Sequence, residues 1–162
     1  MKSWKDFSDE NPVLSDLGKD LLLHSRDYVG LGFIATLRKD GAPRLHPVSL
    51  VFFDDHLYVF IPSKSPKCAD LKRDGRYAMQ AFPPAENEYG AEFYISGVAK
   101  CIADPLIRRD IISQTHILVG VREQLFELSL DRAMYTTLVD QGTLNEHPSH
   151  LIWHASSEML SG

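Results

Sequence analysis

Residues Gly32–Ile61 read GFIATLRKDGAPRLHPVSLVFFDDHLYVFI, and this stretch decides the fold. Gly32–Leu37 alternates Phe33, Ala35 and Leu37 against Ile34 and Thr36. That period of two puts successive side chains on opposite faces of a strand. Lys39-Asp40-Gly41 follows, with a glycine where a tight hairpin turn needs one. Arg44–Phe53 continues as a second, longer strand. Pro47 inside it has no N–H for a ladder, so an edge or a bulge is expected there. Asp54-Asp55 makes the next turn, and His56–Ile61 is a third strand.

Further strands are expected at Tyr77–Phe82, Glu92–Ile102, Gln124–Leu130 and Ala133–Val139, followed by a polar tail ending near Trp153. Three helices separate them. Pro12–Ser25 carries Leu14, Leu17, Leu21 and Leu22 at helical spacing, one apolar stripe for packing on a sheet. Ser65 and Asp104 are N-cap residues, each followed by a proline suited to the first helical position. They open helices reaching about Arg73, with Gly75 as its C-terminal cap, and about His116. Short strands at close spacing with few helices imply a mainly β chain, an antiparallel barrel or sandwich. No glycine fingerprint follows a strand and no phosphate-loop motif is present, which excludes a doubly wound nucleotide fold.

The chain has 162 residues, no internal repeat and no linker, so residues 1–162 are expected to form one domain, with 1–26 as an N-terminal helical extension. Its net charge of −5 disfavours nucleic acid and anionic membranes as partners. The N-terminal residues mix Lys2, Lys5, Asp6, Asp9 and Glu10, unlike a signal peptide, and no apolar run is long enough to span a bilayer. Cys68 and Cys101 are too few for a disulfide framework and suit a reducing compartment. A soluble cytoplasmic protein is expected.

The charge is uneven. Residues 63–76 carry a net +3 and residues 38–46 a net +2. In Ser63-Lys64-Ser65-Pro66-Lys67 a helix start offers free backbone N–H groups, two hydroxyls and two ammonium groups. A capped surface helix with solvated lysines would share this pattern. The clustering of cations in an acidic chain favours a phosphorylated small molecule.

The run Gly32–Val48, the third strand Leu57–Ile61, the Ser65-Pro66-Lys67 turn, Ala69–Arg76 and Glu92–Asp104 with Gly97 stand in one order. That order resembles the pyridoxamine 5′-phosphate oxidase-like, FMN-binding split-barrel family, closely over about residues 12–105 and loosely over 124–155. The resemblance implies a six-stranded antiparallel split barrel with short peripheral helices, a homodimer, and FMN at the subunit interface. It also implies flavin-mediated hydride or electron transfer with a small molecule. On this view Ser65 and Lys67, with Pro66 between them, hold the FMN phosphate, and His46, Pro47, Val48 and Ser49 lie along the flavin. Phe60 and Ile61 of the third strand and Gln80 of the fourth contribute, and Trp153 of the tail either covers the partner subunit's flavin or packs on its own barrel. Two departures tell against pyridoxamine phosphate as substrate: Pro66 stands where the vitamin oxidases carry a basic residue, and their C-terminal Arg-and-His motif is not found.

No catalytic acid or base stands out, because the flavin carries this chemistry and the protein orients it. A second functional class therefore stands beside the enzyme: a module that stores or senses a flavin, a deazaflavin or haem without turnover. His147, His150 and His154 have a spacing that a metal could use, but Pro148 interrupts a helix there and Glu146 is their only acidic neighbour. No metal is assigned to them.

Overall fold

The computed structural model describes residues 1–23, 29–82 and 90–156. Four helices and seven strands are formed among these residues: α1 (Trp4–Glu10), α2 (Pro12–Leu23), β1 (Val29–Leu37), β2 (Pro43–Phe53), β3 (His56–Pro62), α3 (Pro66–Arg73), β4 (Arg76–Ala81), β5 (Glu92–Ile102), α4 (Pro105–Thr115), β6 (Glu123–Val139) and β7 (His147–His154). The strands run antiparallel in the order β3-β2-β1-β4-β5-β6-β7, and β3 also pairs with β6. Strands β1–β6 thus close a six-stranded barrel and β7 adds one strand outside it. The mainly β barrel expected from the alternating pattern is present.

The hairpins follow their turn chemistry. Gly41 takes φ +83 at the β1–β2 turn, and Asp54 and Asp55 both take positive φ at the β2–β3 turn, the geometry that matches strand twist in a two-residue hairpin. Pro47 lies in the half of β2 that pairs with β1 alone, since β3 joins only from Leu50 onward. Its missing N–H therefore costs no ladder bond, and the edge explanation holds.

Alternation builds the core. Ile34, Val48, Leu50, Val59, Ile61, Met79, Ile95, Phe126 and Leu128 point into the barrel and are buried. Helix α2 brings Leu22 against Gly30 at the start of β1, whereas Asp70 of α3 meets Thr36 near the end of that strand. The two helices therefore close opposite ends of the barrel. A smaller cluster of Val51, Tyr58, Ile111 and Leu125 lies on the outside, where α4 packs on β2, β3 and β6.

Several expectations need correction. Gln124–Leu130 and Ala133–Val139 are one strand, β6, because the register against β5 shifts between Ser96 and Gly97 and Asp131 is bulged. Asp131 accepts from Ser96 Oγ at 2.6 Å, which holds the bulge. The polar tail contains strand β7, paired with β6 from Arg132↔His154 to Val139↔His147. Gly75 is not a left-handed cap, since Asp74 ends α3 in extended backbone. Glycine is needed there for space: a Cβ would come within 2.6 Å of the Ala99 carbonyl oxygen. Finally, Trp4–Glu10 forms a helix, α1, closed by a reciprocal Ser3–Asp6 capping box. Ser25 of the expected first helix lies outside the described residues.

Candidate functional site

On the outer face of the barrel, β2 exposes Pro47 and Ser49 while β3 presents the half-buried ring of Phe60. Helix α4 ends with His116 in left-handed backbone, which turns the chain back along this face. The following Ile117, Leu118 and Val119 close a cleft of about 230 Å³ whose opposite wall is Pro47, Val48, Ser49 and Phe60. Lys67 stands at its polar side, with Val29 and Glu123 completing the lining. The carboxylate of Glu123 accepts from the Gly120 N–H at 3.0 Å, which fixes the turn after the apolar triplet. The guanidinium of Arg108 lies 5.2 Å from the centre of the Phe60 ring and holds its outer side.

Lys67 is the second residue of α3. Ser65 caps that helix, accepting from the Cys68 N–H at 3.3 Å, and Pro66 fills the first position. Because the capping oxygen acts as acceptor, the Ser65 hydroxyl proton remains available to an anion. Among the described residues neither Lys67 nor Lys64 has an ionic partner. His46 is half-buried on the inward side of β2, two residues from Arg44. Its Nε2 is buried and has no hydrogen-bond partner among the described residues. Burial, reinforced by the charges of Lys67 and Arg44, holds its pKa below the ordinary histidine value. His46 is thus a neutral ring with one unused nitrogen, placed close to Lys67.

The expected site residues separate into groups. Pro47, Val48, Ser49, Phe60 and Lys67 share one cleft. Ser65 heads the helix that supplies Lys67, while Pro66 lines a neighbouring cleft with Arg44 and Arg73. Ile61 is fully buried inside the barrel. Gln80 lies opposite Phe33, and both line a different recess with Leu21 and Phe93. Trp153 is buried in the chain's own core against Phe7, with ring centroids 4.7 Å apart, and its indole N–H donates to Glu10 at 3.0 Å. Ile117, Leu118 and Val119 were missed. Three apolar residues in a row between a helix end and Gly120 are the signal that could have found them.

The structure shows which cations carry the local surplus of positive charge. Asp70 takes both Arg44 and Arg73, Asp40 takes Arg38, and Asp74 takes Arg76. Lys72 donates to Gln124 Oε1. What remains without an ionic partner among the described residues is Lys39, Lys64, Lys67 and Lys72.

The model of the pyridoxamine 5′-phosphate oxidase family matches residues 26–131. The chain belongs to that family. No curated protein matches it by sequence. Among solved structures, a heme-binding protein from Mycobacterium smegmatis aligns with a TM-score of 0.56 at 15% identity, covering 82% of this chain and 56% of that one. This chain therefore spans little more than half of that protein's length. The heme storage protein HutZ from Vibrio cholerae aligns at 0.55 and 14%, covering 74% and 89%. An F420 reductase aligns at 0.53 and 17%, covering 70% and 94%. At such identities these likenesses establish the shared fold. Within the described residues no group of three His, Cys, Asp or Glu is placed to hold a metal, and no helix is long and apolar enough to cross a membrane.

Proposed function

We propose that the chain binds FMN in the cleft formed by β2, β3 and the 117–122 connection, and exchanges a hydride or electrons with a small molecule there. The observation that carries this reading is the convergence of an apolar wall, Pro47 and Phe60, with Lys67 and the Ser65-capped start of α3. A flat ring system ending in a phosphate needs that pairing of an apolar slot with an anion-binding helix start. His46 does not line this cleft, but the charge of Lys67 lowers its pKa, so its ring reports on an anion held beside Lys67.

Bound FMN would supply the redox chemistry that no side chain of this cleft possesses. The chain's own residues bind and orient. Lys67 and the Ser65 hydroxyl hold the phosphate, Pro47 and Phe60 flank the ring, and Ile117 and Val119 exclude water. Ser49, exposed on the same face, offers a hydroxyl to the ring edge.

The cleft of about 230 Å³ is smaller than the roughly 300–1,000 Å³ of ordinary cofactor pockets. A second copy of the chain would supply the missing wall, making the protein a homodimer with the flavin between protomers. The outer face supports this: Pro47, Phe33, Gln80, Tyr94, Met134 and Ile152 form one cross-strand row, and Leu45 beside it is 65% exposed. Two unpaired cysteines fit a cytoplasmic setting.

The visible absorption spectrum of the purified protein, followed by titration with FMN, tests the cofactor. A flavin spectrum or saturable uptake of FMN is expected. Lys67→Ala should weaken FMN binding by about 1.5–3 kcal/mol, the worth of a charge-assisted hydrogen bond. A haem spectrum, or preference for a deazaflavin, would replace FMN by that cofactor. Tight FMN binding without oxidation of reduced nicotinamide by any added acceptor would leave a storage or sensing module.

A further inference from the structure

Beside the proposed flavin cleft, on the other side of the α3 start, lies a larger one of about 490 Å³ between α3 and the β1–β2 hairpin. Its charged lining is Arg38, Lys39, Arg44 and Arg73 against Asp40 and Asp70, a net of +2 in a chain of net −5. Two of these cations are immobilised. Asp70 is 3% exposed; its Oδ2 accepts from Arg44 Nε at 2.8 Å and Thr36 Oγ1 at 3.0 Å, and its Oδ1 accepts from Arg73 Nη1 at 3.3 Å. Arg73 also donates to the Leu37 carbonyl.

One carboxylate serving two arginines leaves a positive charge at the cleft wall. Arg44 spends only its Nε on Asp70, so its two terminal nitrogens have no partner among the described residues, on a side chain 29% exposed that lines the cleft. That is the fork a phosphate or carboxylate accepts in bidentate fashion. Lys39, on the exposed hairpin tip opposite, likewise has no partner among the described residues. Because packing already holds the arginine pair, little side-chain entropy remains to be lost when an anion binds.

We propose that this cleft is a second anion site, taking a small polyanion of phosphate or carboxylate chemistry alongside the flavin cleft. The proposal goes beyond the flavin reading and does not depend on it, since none of the four cations lines the flavin cleft.

Isothermal titration of the full chain with inorganic pyrophosphate tests it. One site per chain is expected, with affinity falling as salt rises. Lys39→Glu, on an exposed hairpin where folding is not at stake, should weaken binding about tenfold or more, as expected when a charge-assisted bond becomes a repulsion. Lys64→Glu makes the same charge change outside the cleft and should have little effect. Equal losses in both variants would reduce the binding to diffuse attraction and overturn the proposal, as would no binding at millimolar pyrophosphate. The titration is repeated with saturating FMN to separate the two sources of anion. Unchanged pyrophosphate affinity supports an independent site, whereas competition would make the cleft part of the flavin phosphate site and overturn its separateness.

Discussion

Asp70 is the residue on which the barrel's charged end depends. Burial pushes its carboxyl pKa up, but the hydrogen bonds from Arg44, Thr36 and Arg73 outweigh that, and the net shift is below the ordinary 3.8. A carboxylate with a lowered folded-state pKa stabilises the fold fully above its unfolded value and loses that contribution as pH falls through the folded one. Thermal melts of the wild type should therefore drop more steeply below pH 4 than those of Asp70→Asn. At neutral pH Asp70→Ala should cost about 3 kcal/mol, at the low end for a broken buried pair because both arginines are partly exposed. His46 offers a second residue-level measurement. Its ring should titrate below the ordinary 6.5 in NMR without ligand, and move upward when FMN places a phosphate beside it. An unmoved titration on FMN binding would remove His46 from the phosphate's surroundings. At this scale the sequence located the cations but could not pair them. Asp70 and Arg44 are 26 residues apart, and only the closing of α3 over the barrel brings them together.

Elements with their own local signals were legible, and elements stabilised by distant partners were not. The caps at Ser65 and Asp104, each followed by proline, mark α3 and α4 because the stabilising groups are neighbours in sequence. Ser65→Ala should cost about 1 kcal/mol of stability from the lost cap, and in the flavin reading it also weakens FMN binding. Strand β7 lacks such a signal. Its exposure is nearly uniform from His147 to His154, with Trp153 alone buried, so its conformation is imposed by the ladder to β6. The bulge at Asp131 was hidden for a related reason: a register shift is a property of two strands. Gly97 opposite it is tightly hemmed, since a Cβ there would run into the Ser129 carbonyl. Gly97→Ala should therefore destabilise by about 1–3 kcal/mol or more in a denaturant melt, the range for overpacking a dense interior.

For the whole molecule, the barrel class followed from strand spacing, while its closure through β3 and β6 did not. Phe60 and Leu125 carry no mark of their pairing in sequence. The same holds for the outer face, where a row of six residues from six strands, apolar or aromatic except for Gln80, becomes one surface only after folding. If that surface joins two copies, Leu45→Glu should shift sedimentation from dimer to monomer without lowering the melting temperature of the protomer much, since Leu45 is 65% exposed. A wild-type protein that sediments as a monomer would rule the face out as an interface. The contact of Trp153 with Phe7 and Glu10 has a bearing on biosynthesis. Helix α1 is made before the barrel, and the partner of its Glu10 lies 143 residues downstream. At roughly 5–20 residues per second, the ribosome leaves Phe7 and Glu10 without this partner for something on the order of 10–30 s. During that interval apolar surface that the finished barrel hides stays open to off-pathway contacts.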